Sequence, residues 1–207
     1  MNIVKLSNNG VKNATAFGSA VTSLGSMRFI KKLTASSSAT LSFVDGSDGV
    51  VLDDTYKEYV FTFNNMHPET DNANFTFNLS TDSGSNYNVT KTTTFFSPYH
   101  RENDAGAGLV YEGGRDLAQG TGFQQIAGTC GADNDQSSSG TLHLFNPASS
   151  VFVKHFISKI QLSHADDYCI CAFVAGYGNT TNSVDAIRFQ MSSGNIDSGD
   201  ICLYGIA

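Results

Sequence analysis

The chain has 207 residues, 40% of them hydrophobic, which is enough for one generous domain with a filled core. Net charge is −7 and the 12 Lys and Arg are scattered, with Lys31-Lys32 the only adjacent pair, so the clustered positive charge of a nucleic-acid binder is missing. No run approaches the ~18–20 apolar residues of a membrane-spanning helix, and charged residues are only 15% of the chain, against roughly 25% in ordinary globular proteins.

The polar surface must therefore come from Ser, Thr, Asn and Gly. The opening MNIVKLSNNG turns polar without an apolar signal-peptide core, which predicts synthesis and assembly in a cytoplasm. The four Cys are then expected to be free thiols rather than a disulfide scaffold.

Residues 1–26 differ from the rest. NGVKNATAFGSAVTSLGS is small, polar and weakly periodic, with isolated apolar residues such as Ile3, Leu6, Val11, Phe17 and Leu24. That is too little apolar surface to fold alone, and it predicts an arm that orders against a partner. A β domain is expected over 27–207, starting at MRFIKKL.

Alternation of period two recurs along that domain. In EYVFTFN, Tyr59, Phe61 and Phe63 share a face. Phe75, Phe77 and Leu79 do so before the loop TDSGSN, and Tyr87, Val89, Thr93 and Phe95 after it, with Lys91 breaking the pattern. Those flanks predict a hairpin. Leu142 and Leu144 alternate in TLHLF, and Ile187, Phe189 and Met191 in DAIRFQM. VFVKHFISKIQL is apolar on both parities and reads as a central strand. Cys169 and Cys171 share a face in CICAFVAG and read as buried thiols, with Cys202 near them in the same core. No amphipathic helix is evident; DLAQGTGFQQI has Gly where a helix needs side chains. Turn signals stand at 45–49, 64–72, 81–86, 131–140, 146–150 and 192–199. About ten strands result. The fold class is all-β, an antiparallel β-sandwich of jelly-roll type, with an extended N-terminal arm.

Catalytic and metal motifs are sparse. TDSGSN has one carboxylate and no distal Glu, so it reads as a turn rather than a calcium loop. In DNDQSSSG, Asp133 and Asp135 are close enough to be calcium candidates, yet Leu144 stands where the closing Glu would fall. The five His (His67, His100, His143, His155 and His164) form no paired metal motif. No G-x-S-x-G is present. Asp53-Asp54 and Asp166-Asp167 are sequence neighbours, which places their side chains on opposite faces of a strand rather than across a cleft. The N-x-[ST] matches at Asn13, Asn74, Asn78, Asn88 and Asn179 follow from composition. PYHRENDAG and YEGGRD gather polar groups around an aromatic ring; they read first as solvated loops, and as glycan-contacting loops in the alternative. No catalytic, cofactor-binding or metal residue is assigned.

The segments LTASSSATLSF, YKEYVFTFNNMHPETDN, STDSGSNYN, HLFNPASSVFVKHF and IRFQMSSGNIDSGDICLYGIA resemble a family of virion structural proteins of tailed, mainly marine, bacteriophages. The opening KLSNNGVKNATA is similar to the leader these proteins carry, so the resemblance spans nearly the whole chain. It implies a virion component assembled in the host cytoplasm with no enzymatic role and no cofactor. Its partners would be other capsid or tail proteins and copies of itself, a trimer among the options, and no nucleic acid. Capsid decoration or a short head appendage fits best, since the heptads or repeats of a fibre shaft are missing. A tail fibre or receptor-binding knob that binds host surface glycan is the alternative, and a glycan-degrading enzyme a weaker one. The lack of Trp counts against a sugar platform.

Overall fold

The computed structural model describes residues 26–207. The arm expected over 1–26 lies, apart from Ser26, outside the described residues. Twelve strands follow in order: β1 (Met27–Ser38), β2 (Leu41–Val44), β3 (Glu58–Pro68), β4 (Ala73–Ser80), β5 (Lys91–Arg101), β6 (Ala107–Tyr111), β7 (Gln124–Cys130), β8 (Ser138–Phe145), β9 (Lys154–His164), β10 (Tyr168–Gly178), β11 (Ala186–Met191) and β12 (Ile196–Ile206). All pairings are antiparallel, and no helix occurs among the described residues.

Hydrogen bonding runs without a break through β1-β12-β3-β8-β9-β10-β5-β6, and a shorter run is β7-β4-β11-β2. The two join where Cys130 on β7 faces His164 on β9. β1 and β2 are consecutive in sequence yet lie at opposite ends of the order, so the sheet curls until it nearly closes into a barrel. That order supports the antiparallel all-β class and does not single out a jelly roll.

The apolar alternation builds the core. Tyr59, Phe61 and Phe63 of β3 point inward, as do Phe75 and Phe77 of β4 and Ile187 and Phe189 of β11, all nearly or fully buried. Phe189 is the hub: its ring lies 5.4 Å from Phe61 and 5.2 Å from Phe63 on the long run, and 5.9 Å from Phe75 on its own run. Edge-on and offset geometries of this kind are favourable for aromatic pairs.

Several expectations are corrected. β4 and β5 do not form a hairpin. β4 pairs with β11 and β7, whereas β5 pairs with β10 and β6. The turn expected over 64–72 is half strand, because β3 continues to Pro68 through an irregularity between Phe63 and Met66, where Asn65 takes φ 50°. β9 is central in pairing, lying between β8 and β10, but only one of its faces is buried. Val151 and Phe152 precede it in a loop, 69% and 66% exposed. Cys169 is exposed and Cys171 half-buried, so the pair does not sit in the core; Cys130 and Cys202 are the buried ones. Cys202 is on β12, separated from β10 by three strands in the pairing order. All four thiols are free.

Lys91 does not break the parity of β5. Its side chain follows Thr93 and Phe95 into the interior, where it is fully buried. The ammonium donates to Asn78 Oδ1 and, at 2.7 Å, to the Val89 carbonyl. Burial pushes its pKa down to about 7.

Candidate functional site: a cleft under the β5–β6 arm

One face of β5 and β6 lines a cleft of about 220 Å³. Alternate residues of β5 supply Phe95, Ser97, Tyr99 and Arg101, and β6 supplies Val110. The loop after β6 adds Glu112 and Arg115, β7 adds Gly128 and Thr129, the end of β9 adds His164, and β10 adds Tyr168, Ile170 and Ala172. The two polar segments singled out in the sequence, PYHRENDAG and YEGGRD, thus meet at one place.

Arg115 braces the floor. Its Nη1 donates to Asn74 Oδ1 at 3.1 Å and Gln125 Oε1 at 3.2 Å, and Nη2 to Thr129 Oγ1 at 3.2 Å. Gly128 makes room for it, since a Cβ there would lie 1.5 Å from Nη1. Glu112 completes the brace. One oxygen accepts from Ser97 Oγ at 3.0 Å and the other lies 3.5 Å from Arg115 Nε. The loop is latched to β5 by Glu112 N donating to the Phe95 carbonyl at 2.8 Å and Thr93 N to the Leu117 carbonyl at 2.9 Å.

The opposite wall is aromatic. The Arg101 guanidinium lies 4.5 Å from the centre of the Tyr168 ring, and His164 stacks on the same ring at 4.9 Å. Tyr99 lies 6.0 Å away. Among the described residues Arg101 has no hydrogen-bond or ion-pair partner for its side chain. His164 Nδ1 accepts from Asp166 N at 2.9 Å, which assigns the proton of the neutral ring to Nε2. Burial holds its pKa below the usual imidazole value.

The cleft therefore offers a forked cation, an N–H and two phenols around ring faces. Its single carboxylate is already engaged by Ser97 and Arg115. Such a set suits a hydroxyl-rich or carboxylate-bearing ligand of one or two rings. Sequence reasoning missed His164, Tyr168, Thr129 and Gly128. No local pattern marks them, because strand pairing alone brings β7 and the β9–β10 turn beneath β5.

The other candidates resolve as turns. Asp82 in TDSGSN spends its carboxylate on Ser80 Oγ at 2.7 Å and on Asn86, backbone at 2.8 Å and side chain at 2.7 Å, and these bonds lower its pKa. Ser83 and Gly84 beside it take positive φ, 57° and 79°. Asp133 and Asp135 are exposed. The Asp133 carbonyl accepts from Gln136 N at 2.8 Å and faces His67 Nε2 at 3.2 Å, as in a closed turn. Among the described residues, no three His, Cys, Asp or Glu side chains converge as a metal would need. Asp53 caps the segment before β3 through Thr55 N at 2.8 Å, and Asp166-Asp167 form the β9–β10 turn, where Asp167 takes φ 60°.

Comparison with models of protein families, with curated proteins and with solved structures gives no match for this chain.

Proposed function

We propose that the protein is a structural component of a tailed bacteriophage particle. It is a surface subunit of the capsid-decoration or short head-appendage kind, attached through its N-terminal arm. The observation that carries this reading is the number of places where large apolar side chains stand in solvent. They are Phe29 on β1, Val151 and Phe152 before β9, and Phe96, Leu109 and Tyr111 on the β5–β6 arm. A solitary globular protein keeps such patches small, and an assembly subunit covers them. The family resemblance of the strand and turn segments supports the same reading.

On this reading the arm would join the described residues at Ser26. Its carbonyl accepts from Ala207 N at 2.8 Å, at the end of the β1–β12 pair. Deleting residues 1–25 spares this bond. The truncated protein is expected to unfold cooperatively at an unchanged temperature and to be missing from purified particles. Incorporation at the normal level would move the attachment surface onto the strands. Absence of the intact protein from purified virions, by mass spectrometry, would end the virion reading altogether.

A second reading, host-glycan recognition, is favoured by Arg101, which lies on the Tyr168 ring and has no hydrogen-bond or ion-pair partner for its side chain among the described residues. Purified protein is then expected to bind host surface polysaccharide, and Arg101→Ala to weaken it at least tenfold. Oligosaccharide release during the same incubation would replace binding with hydrolysis.

A further inference from the structure

The long run of the sheet ends in β9-β10-β5-β6, and these four strands contain no Asp or Glu, although the chain carries 19. Their outward face carries an aromatic and aliphatic patch set among Thr94, His155 and Gln161. One row across it reads Lys159, Phe173, Phe96, Tyr111, each paired with the next by register. Phe96 and Phe173 stack at 5.0 Å with planes 3° apart, and Lys159 lies 5.4 Å from the Phe173 ring. Ile157, Leu109 and Tyr111 extend the patch, 53%, 69% and 58% exposed.

The edges of the sheet point to the same place. β1 pairs only with β12, and its free side is guarded by Arg28, Lys31, Lys32 and a bulge between Phe29 and Lys31. β2 is only four residues long. β6, AGLVY, pairs only with β5, is exposed along its whole length and carries no charge, Pro or bulge. It is the one unguarded edge among the described strands.

We propose that the outward face of β9-β10-β5-β6 packs against the same face of a second copy of this chain. Charge selects the occupant. Two molecules of net charge −7 repel across most of their surfaces, whereas these four strands carry no carboxylate of their own; the two that reach the face, Asp104 and Asp116, come from flanking loops and are held by His100 and Tyr111. An anionic partner such as nucleic acid would need clustered cations, and the row holds only Lys159, already stacked on Phe173. Size agrees as well. Four strands about 4.8 Å apart and about nine residues long span roughly 19 by 30 Å. With side-chain relief, that plane is on the order of the ~800 Å² per partner of a stable interface. The Phe96–Phe173 stack supplies the aromatic centre on which such contacts concentrate their energy.

The test is the mass of the purified full chain in solution, so its outcome does not depend on any place in a virion. Light scattering after gel filtration is expected to give twice the 22.1 kDa of the chain. Phe96→Glu with Leu109→Glu should return it to a single chain that still melts in one cooperative transition, at a lower temperature because the dimer no longer stabilises the fold. Phe152→Glu, on the separate loop, should leave the dimer intact. If the double variant does not fold, Ile157→Glu tests the same face from β9. A single-chain mass for the wild type at high micromolar concentration would overturn the proposal. So would dimers that survive the folded variants, or a trimer, since a same-face contact closes at two copies.

Discussion

Replacing Phe189 by Ala is expected to destabilise the fold by about 3–5 kcal/mol, the range for truncating a buried aromatic side chain. The upper end is favoured because the ring is fully buried and has five phenylalanine neighbours within 6.4 Å: Phe43, Phe61, Phe63, Phe75 and Phe77. Two of these, Phe61 and Phe63, belong to β3 on the opposite run, so the hole would open between the two runs of the sheet. Neighbours that are themselves rigid rings collapse poorly into such a space. Since domains are commonly stable by only ~5–15 kcal/mol, the variant should sit near its unfolding limit at growth temperature. Urea titration followed by circular dichroism reads this directly. Phe29→Ala, at a residue 60% exposed, is the comparison and should change stability by less than about 0.5 kcal/mol. A loss under about 1 kcal/mol for Phe189→Ala would mean that the aromatic hub is not where the two runs are held.

The same residues show what the sequence could disclose. Tyr59, Phe61 and Phe63, and Ile187, Phe189 and Met191, announce their buried faces because strand period is a local property. Partner choice is not local. β4 stands next to β5 in sequence but pairs with β11, where Phe77 faces Phe189, 112 positions away by their numbering. A polar loop with Gly between two alternating runs looks the same whether the chain turns back or crosses to another part of the sheet. That ambiguity is why the hairpin expectation failed. The twin thiols show the opposite limit. Cys169 and Cys171 do share a face, but an apolar stretch does not reveal that the shared face looks outward. The cleft was half legible: Tyr99, Arg101, Glu112 and Arg115 come from segments whose polar and aromatic mixture stands out, while His164, Tyr168 and Gly128 acquire their roles only through pairing.

Lys91 carries the other large effect, and it acts through pH. In the unfolded chain its amine titrates at the ordinary lysine value of 10.5, and in the folded protein at about 7. Between those values the unfolded state holds a proton that the folded state has released, so stability rises with pH across this window. Below about pH 7 both states are protonated and the cost of burying the charge is fully present. Above 10.5 both are neutral and the cost is gone. Over pH 7–9 the gain should be on the order of 2 kcal/mol. Cys130 then works the other way. Burial raises its thiol from 9.0 to about 11, so above pH 9 the unfolded state loses a proton that the folded state keeps, and stability falls. His164, with a folded pKa below 6.5, contributes its own rise only at lower pH. Melting temperature should therefore climb from pH 7 to about pH 9 and then level off, since between about pH 9 and 10.5 the two slopes oppose each other. Lys91→Met removes the titrating group while filling its space, though it takes one donor from the Val89 carbonyl and leaves Asn78 Oδ1 with the Leu79 N–H. The variant should lose most of the rise over pH 7–9, whatever its absolute stability; Lys154, whose pKa burial also lowers, keeps its own rise. A slope unchanged by the substitution would assign the pH dependence to another group, Lys154 first, and would leave the Lys91 amine charged in the fold.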